Sequence, residues 1–281
     1  MANTEKAACG GLVRKAASLI EAASGRVVSD AATAQLAGLK GSTCADVAHL
    51  TREVDLLMVF GGDGTMLRVT REAAGSITPI LGINAGGLGF LTDVPSDRLA
   101  LALSQIWAGE AVLETRPLIE AVNGVPGSAP STLALNDFVV SRGAAPRLIE
   151  LEVTVDDEVL TRYRCDGLIV SSPTGSTAYS LSAGGSVAAP SAEVFILTPI
   201  CPHTLSNRSV IVSLHSLVKV KVLSQKVEVM WSADGQTTSP LGAGEVLSIR
   251  KSRQAIRLLH LAGSSFFETL RRKLNWSGSS L

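Results

Sequence analysis

The sequence predicts an α/β chain of two domains, and three observations carry that expectation. Up to about residue 112, helix-like and strand-like segments alternate, the pattern of a parallel sheet covered by helices. From about Glu114 the texture changes to successive short strands, some with clear period-2 alternation, as in Val218-Lys219-Val220-Lys221-Val222 and Val227-Glu228-Val229-Met230-Trp231. Between the strand-length apolar run 54–60 and the helix-like stretch 66–74 lies Gly61-Gly62-Asp63-Gly64-Thr65, a strand-to-helix turn with three glycines and one carboxylate.

The elements follow in order. Leu12, Ala16, Leu19, Ile20 and Ala23 share one face of an opening helix; residues 26–29 read as a short strand and 30–39 as a short helix. Next come the 54–60 strand, the helix after Asp63 and a strand at 79–83. A helix from about 97 to 108 is expected to bury Leu99, Leu103 and Ile106. In the second half, strands are expected at 118–122, 138–141, 148–155, 159–163, 217–222, 227–231, 246–250 and 255–261, with Asp156-Asp157-Glu158 as a hairpin turn. Residues 265–275 read as an amphipathic helix carrying Phe266, Phe267, Leu270 and Leu274. One feature is irregular: the chain opens with Ala2-Asn3-Thr4-Glu5-Lys6 where such a domain normally opens with a strand. Either the start is truncated or the sheet lacks a strand, and the loss is expected to expose a strand edge and weaken the domain rather than remove its chemistry.

Bulk properties narrow the function. Of 281 residues, 46% are hydrophobic and 18% charged, enough for a sizeable core. Lys+Arg and Asp+Glu both number 25, so no net charge draws the chain to nucleic acid or to a membrane surface, and only 4% of residues are aromatic, few for base stacking. Cys9, Cys44, Cys165 and Cys201 are widely spaced with no C-x-x-C, so reduced thiols in a cytoplasmic protein are expected and a structural zinc is not. No apolar run reaches membrane-span length, and the N-terminus has no signal-peptide pattern.

The chemistry starts from the five-residue turn. Glycines without Cβ atoms let backbone N–H groups approach a ligand, and the helix N-terminus that follows adds partial positive charge suited to phosphate. Asp63 would repel a phosphate unless it binds Mg²⁺ or accepts a proton from an attacking hydroxyl, so the arrangement points to phosphoryl transfer. Blandly, Asp or Thr here is an ordinary helix N-cap, and the loop is neither a Walker A nor Gly-x-Gly-x-x-Gly. Other motifs add weight. Leu81-Gly82-Ile83-Asn84-Ala85-Gly86-Gly87-Leu88-Gly89-Phe90-Leu91-Thr92 is a second Gly-rich loop after a short strand, and Asn136-Asp137 sets an amide beside a carboxylate. The stretch from Cys165-Asp166-Gly167 through Pro173-Thr174-Gly175-Ser176-Thr177-Ala178-Tyr179-Ser180-Leu181-Ser182 to Gly184-Gly185 is dense in hydroxyls and small residues. Leu197-Thr198-Pro199-Ile200-Cys201-Pro202-His203-Thr204-Leu205-Ser206 and Asp234-Gly235-Gln236 follow.

Together these motifs resemble those of the NAD kinases, which move a phosphoryl group from ATP or polyphosphate to NAD. The resemblance runs in order from about Asn3 to the C-terminus and is most specific over residues 166–185. It implies a Rossmann-like α/β domain with a parallel sheet over residues 1–112 and a β-rich, β-sandwich-like NAD-binding domain over 113–262. The tail, 263–281, is implied to return its helix to the first domain. It implies Asp63 as the base for the 2′-hydroxyl of the adenosine ribose, with Gly61, Gly62, Gly64 and Thr65 around the donor phosphate; Asp63 and Gly64 are also expected to touch NAD. Mg²⁺ is expected to arrive with the nucleotide, through Asp63 or none of the protein's own ligands, and the assembly to be a homodimer or homotetramer.

The remaining sites are carried over residue by residue. Asn136 and Asp137 would contact NAD, although many members carry Glu at the second position and Asp137 is one methylene shorter; an Asx turn is the plain alternative. NAD contacts are also implied for Asp166, Thr174, Thr177, Ala178, Tyr179, Ser180, Leu181 and Ser182, with Tyr179 able to stack on adenine; the alternative is a Ser/Thr-rich turn. Arg147 and Arg164 could screen a pyrophosphate or be solvated strand charges, and Gln236 matches a family amide or is a turn residue. Phe90 could wall the nucleotide pocket or fill core. Arg68, one turn past the loop, could touch donor phosphate or be solvated, and His203 reads as structural. Ser186 and Ser209 stand where the family commonly has Pro, each removing a restriction worth on the order of 1 kcal/mol. A diacylglycerol-type lipid kinase shares the Gly-Gly-Asp-Gly-Thr loop but leaves residues 166–185 unexplained. A non-catalytic NAD(P)-binding regulator would fit an altered Asp63 or Asn136, and an oxidoreductase would need the dinucleotide fingerprint.

Overall fold

A computed structural model describes residues 1–87, 89–92, 94–123, 131–203 and 208–276, which fall into two units: Met1–Thr115 with Ala255–Leu281, and Arg116–Gln254. In the first unit, helix α1 (Ala7–Ala22) buries a face of small residues, Cys9, Gly10, Ala16 and Ala17. That face permits close packing: a methyl on Gly10 would meet the Leu36 carbonyl oxygen at 2.8 Å. Strand β1 (Val28–Asp30) leads into α2 (Ala31–Ala37), where the Asp30 carboxylate accepts the Thr33 N–H and Gly38 (φ 63°) ends the helix in the left-handed region. Strand β2 (Ser42–Cys44) pairs parallel with β1, and α3 (Val47–Glu53) is capped by Asp46. Neither β2 nor α3 is anticipated from the sequence, because both are too short to show a period; the Asp46 cap was the available signal.

The central strands are β3 (Leu57–Gly61) and β4 (Ile80–Asn84), paired in parallel across helix α4 (Asp63–Glu72). Strand β5 (Val94–Pro95) adds to β4, and α5 (Leu99–Trp107) covers the sheet with Leu99 and Leu103 buried and Ile106 half-buried. Residues 1–3 lie parallel beside β3: Phe60 N–H donates to the Met1 carbonyl (2.9 Å), Asn3 N–H to the Phe60 carbonyl (2.8 Å), and the Met1 amine to the Met58 carbonyl (3.0 Å). The β3 edge expected to be bare is therefore covered as far as Met58. Burial pushes the Met1 amine down to about 6. A cavity of about 440 Å³ lined by residues that include Met1, Val13, Ile20, Met58 and Ile106 adjoins this point.

The second unit is two antiparallel sheets around one core. Its chain runs through β6 (Val112–Asn123), which enters this unit at Arg116, β7 (Thr132–Ala134), β8 (Asp137–Arg142), β9 (Ile149–Val155), β10 (Glu158–Cys165), β11 (Gly167–Ser171) and the short helix α6 (Tyr179–Ser182). It continues through β12 (Val194–Ile200), β13 (Val210–Ser213), β14 (Val218–Val222), β15 (Val229–Ala233), β16 (Thr237–Pro240) and β17 (Val246–His260). In one sheet this unit's strands run β10-β9-β14-β17, with β6 beside β17 and β7 beside β6; the other has the order β13-β12-β11-β8-β15-β16. Their inner faces share a core that includes Phe138, Leu168, Phe195, Trp231, Val153, Val220 and Ile249. Asp156 (φ 49°) and Asp157 (φ 68°) form the expected β9–β10 hairpin turn, both in the left-handed region that a two-residue connection requires.

Several strands differ from the sequence expectation. The two strands anticipated at 246–250 and 255–261 are one, β17, of which residues from Ala255 onward belong to the first unit. The polar stretch between them stays extended because Lys251 pairs with Glu193 (2.9 Å) and Ser252 donates to Glu120 (3.1 Å). Strands β11 and β12 were not anticipated as strands, and β11 is buried on both faces, which erases the alternation by which strands are read. Ser186 and Ser209 hydrogen-bond each other through their hydroxyls at 3.3 Å. Thr204, Leu205 and Ser206 of the sequence motif, and Leu88 of the second Gly-rich loop, lie outside the described residues.

Candidate active site

In the first unit the site is built where β3 and β4 end. Helix α4 is capped by Gly62, not by Asp63, so the ordinary N-cap role does not fall to the carboxylate. Asp63 stands in the first turn and binds instead to the second Gly-rich loop. Its Oδ2 accepts the Phe90 N–H (2.9 Å); its Oδ1 accepts the Leu91 N–H (3.1 Å) and the Thr92 hydroxyl (3.3 Å). Gly89 makes that approach possible, because a methyl there would collide with both Asp63 Oδ1 and Thr92 Oγ1. An ionised carboxylate offers about four lone-pair sites. Three are taken, which leaves the half-buried Asp63 able to accept one further proton or metal bond.

The neighbouring residues divide by what they touch. A side chain at Gly61 would strike the Thr65 hydroxyl at 2.5 Å, and Thr65 accepts from the Asn3 amide at 3.3 Å, so Thr65 is a buried brace of the turn. Asn84 spans the second loop, donating to Gly87 O (2.7 Å) and Thr92 O (3.2 Å) and accepting from Gly86 N–H (2.7 Å). Arg68 is exposed and pairs with Glu72 at 3.6 Å along its own helix. The Phe90 ring packs on Phe266 (centroids 6.2 Å) of the C-terminal helix α7 (Phe266–Leu274), under the Lys273 ammonium at 4.7 Å. Lys6 was missed in the sequence. A methyl on Gly86 would come within 3.2 Å of its Nζ and one on Gly62 within 3.9 Å, so this exposed cation lies against both glycine loops. An isolated lysine near the N-terminus carries no motif to betray it.

In the second unit the structure brings Asn136, Asp137 and the turn after β11 together. Ser172 N–H donates to the Asn136 carbonyl (2.8 Å) and Ser172 Oγ to the Leu135 carbonyl (2.6 Å). Gly175 packs so closely on Asn136 that any Cβ would collide with its carbonyl oxygen. Thr174, Ser176 and Ser180 are buried and bond inside the protein: Thr174 with Arg116 (3.2 Å), Ser176 with Ala188, Ser180 with Thr198 (2.9 Å). Thr177, Ala178 and Leu181 are half-buried, and Tyr179, Ser182 and Gln236 are exposed. Asp166 pairs with Arg142 (2.8 Å), a partner the sequence did not suggest. Arg164 pairs with Glu150 at 3.2 Å, and Arg147 is exposed. Asp137 is buried, and burial first and the Asp234 charge second push its carboxyl up to about 7.

No group of three metal-ligating side chains occurs among the described residues, and no described helix is long and apolar enough to cross a membrane. One carboxylate among glycines suits a cation that also binds phosphate oxygens, since Mg²⁺ takes one or two carboxylates rather than a protein cage. A carboxylate at the first turn of a helix between two Gly-rich loops, in an α/β unit joined to a β-sandwich, is the make-up of a phosphotransferase.

Comparison with known proteins narrows the class. The family model described as ATP-NAD kinase N-terminal domain matches residues 13–111, and the ATP-NAD kinase C-terminal domain model matches 135–261. The NAD kinase of Syntrophotalea carbinolica is 44% identical over 224 residues, 79% of each chain; that of Acidovorax sp. is 44% identical over 248 residues, 88% of this chain and 83% of its own. Among solved structures, yeast NADH kinase complexed with NADH superposes with a TM-score of 0.89 at 26% identity, covering 99% of this chain and 87% of that one. An Archaeoglobus fulgidus NAD kinase in complex with ATP gives 0.76 at 27%, covering 95% and 96%. The chain belongs to the NAD kinase family. Nothing found supports the lipid-kinase, regulator or oxidoreductase alternatives.

Proposed function

We propose that this chain makes NADP, transferring the terminal phosphoryl group of ATP or polyphosphate to the 2′-hydroxyl of the adenosine ribose of NAD. The observation that carries the reading is the Asp63 carboxylate, held by three donors of the 90–92 loop with one acceptor position to spare. A ribose hydroxyl is a weak nucleophile at neutral pH, and Asp63 accepts its proton as the new O–P bond forms and the bridging P–O bond of the donor breaks toward the leaving phosphate. Gly61, Gly62 and Gly64 form the turn around the donor phosphates, where the N-terminus of α4 adds partial positive charge, and Lys6 adds a positive charge beside them. Mg²⁺ would arrive with the nucleotide and neutralise charge on its phosphates, which leaves the one open position of Asp63 to the ribose hydroxyl.

The second unit supplies NAD contacts in this reading: Asn136 and Asp137 for a ribose diol, the exposed Tyr179 for a purine face, and Asp166, Thr174, Thr177, Ala178, Ser180, Leu181, Ser182 and Gln236 around them. Buried Thr174 and Ser180 act there by shaping the turn. A homodimer or homotetramer is the assembly proposed. The test is NADP formation from NAD, Mg²⁺ and either ATP or polyphosphate, with Asp63→Asn as control. Product from the wild type and turnover reduced at least about a hundredfold in the variant, with NAD still bound, is the expected result. No product with either donor despite NAD binding would refute the activity.

A further inference from the structure

We infer that Asp234 is a positioning residue for NAD binding: its carboxylate fixes the backbone of Leu135, Asn136 and Asp137 in the shape that presents the Asn136–Asp137 pair. The inference rests on the reading of that pair as NAD contacts. Asp234 begins the turn from β15 to β16 with a φ of 51°, followed by Gly235 at 64°. From there its Oδ1 accepts the Asn136 N–H (2.8 Å) and the Asp137 N–H (3.3 Å), and its Oδ2 accepts the Leu135 N–H (3.1 Å). The Asp234 N–H returns a bond to the Asp137 carbonyl at 3.0 Å. Three successive amides thus converge on one buried carboxylate almost a hundred residues away in sequence. Amide hydrogen bonds to a carboxylate are stronger than those to a neutral acceptor, and losing it would leave three successive backbone donors without their partner.

The opposite side of the segment is fixed as well, by Ser172 on the carbonyls of Leu135 and Asn136 and by Gly175 against Asn136. What remains free of backbone duty is the half-buried Asn136 side chain. Asp234 also acts through charge. Opposite Asp137 on β11 stands the neutral Ser171, and on the β15 side stands Asp234. The buried cation Arg116 of this unit gives its Nη1 to Thr174. Asp234 is the charge that acts with burial to keep a proton on Asp137. Asp234→Asn removes both the charge and one amide acceptor while keeping the side-chain size.

The decisive measurement is steady-state kinetics on Asp234→Asn, Asn136→Ala and the double variant of the full chain, with thermal melts alongside. Asp234→Asn should raise KM for NAD about tenfold, the effect of about one charged hydrogen bond, with kcat and KM for ATP nearly unchanged. The inflection in the pH dependence of that KM should move to lower pH as Asp137 loses its anionic neighbour. In the Asn136→Ala background the same change should add clearly less than its effect alone, because the Asn136 contact it positions is already gone. An unchanged KM in a folded Asp234→Asn protein, or full additivity in the double variant, would overturn the inference. Amide hydrogen exchange on the wild type covers the case of a variant that does not fold: the amides of Leu135, Asn136 and Asp137 should be protected without NAD. Their rapid exchange in a protein that binds NAD normally would overturn the Asp234 assignment alone. Protected amides in a wild type that binds no NAD would instead remove the NAD reading of Asn136 and Asp137, and the binding role of Asp234 with it.

Discussion

Asp63 in the first unit and Asp234 in the second use one device to different ends. Each carboxylate collects backbone N–H groups from a loop distant in sequence, Phe90 and Leu91 in one case and Leu135 to Asp137 in the other. Asp63 is half-buried at the first turn of a helix, among glycines, and holds its loop with capacity left over. Asp234 is buried, and its oxygens are turned to backbone. The comparison teaches that hydrogen bonding alone does not mark a catalytic carboxylate. Access decides, and access here follows from glycines that keep side chains away.

The comparison can be broken most severely at Gly89. A methyl there collides with the Asp63 carboxylate and the Thr92 hydroxyl, so Gly89→Ala should displace the proposed base and lower kcat about a hundredfold, the scale of a displacement of about 1 Å. Binding of NAD, measured by calorimetry, should change little. Gly175→Ala is the counterpart in the second unit: it pushes on Asn136 and should raise KM for NAD about tenfold while sparing kcat. Equal effects of the two variants on kcat would erase the distinction between the regions.

Smaller effects sharpen it. Lys6→Ala should raise KM for the phosphoryl donor a few-fold, on the scale of about 1 kcal/mol for an exposed charge, with KM for NAD unaffected. The Asp137 carboxyl, raised from an ordinary 3.8 to about 7, makes the folded protein bind more protons than the unfolded chain between those values. Stability from this group is therefore present below about pH 4 and is lost as pH rises through 7. Melting curves of Asp137→Asn should flatten across that window relative to wild type; parallel curves would show that the acid is not held protonated.

Much of this was legible in the sequence, for stated reasons. The Gly-Gly-Asp-Gly-Thr turn was readable because glycine, carboxylate and strand-to-helix context coincide in five residues. The Asp156–Asp157 hairpin was readable because turn chemistry is local. The partners of Asp63 were not, since Phe90 to Thr92 reach it by tertiary packing across more than twenty-five residues. Asp234 was visible as the start of the Asp234-Gly235-Gln236 motif, but its bonds to Leu135–Asp137 are encoded by no local pattern. Lys6, Arg142 and the Ser186–Ser209 bond were hidden in the same way. Strand β11 escaped because burial on both faces removes alternation.

The most direct test of the central claim is a single-turnover measurement of phosphoryl transfer to NAD by Asp63→Asn, with NAD affinity determined on the same sample. Loss of the chemical step by at least about a hundredfold with affinity retained within a few-fold is the result predicted for a carboxylate that accepts the 2′-hydroxyl proton. Transfer at the wild-type rate would contradict it, and Asp63 would then be, like Asp234, a residue that only holds its loop.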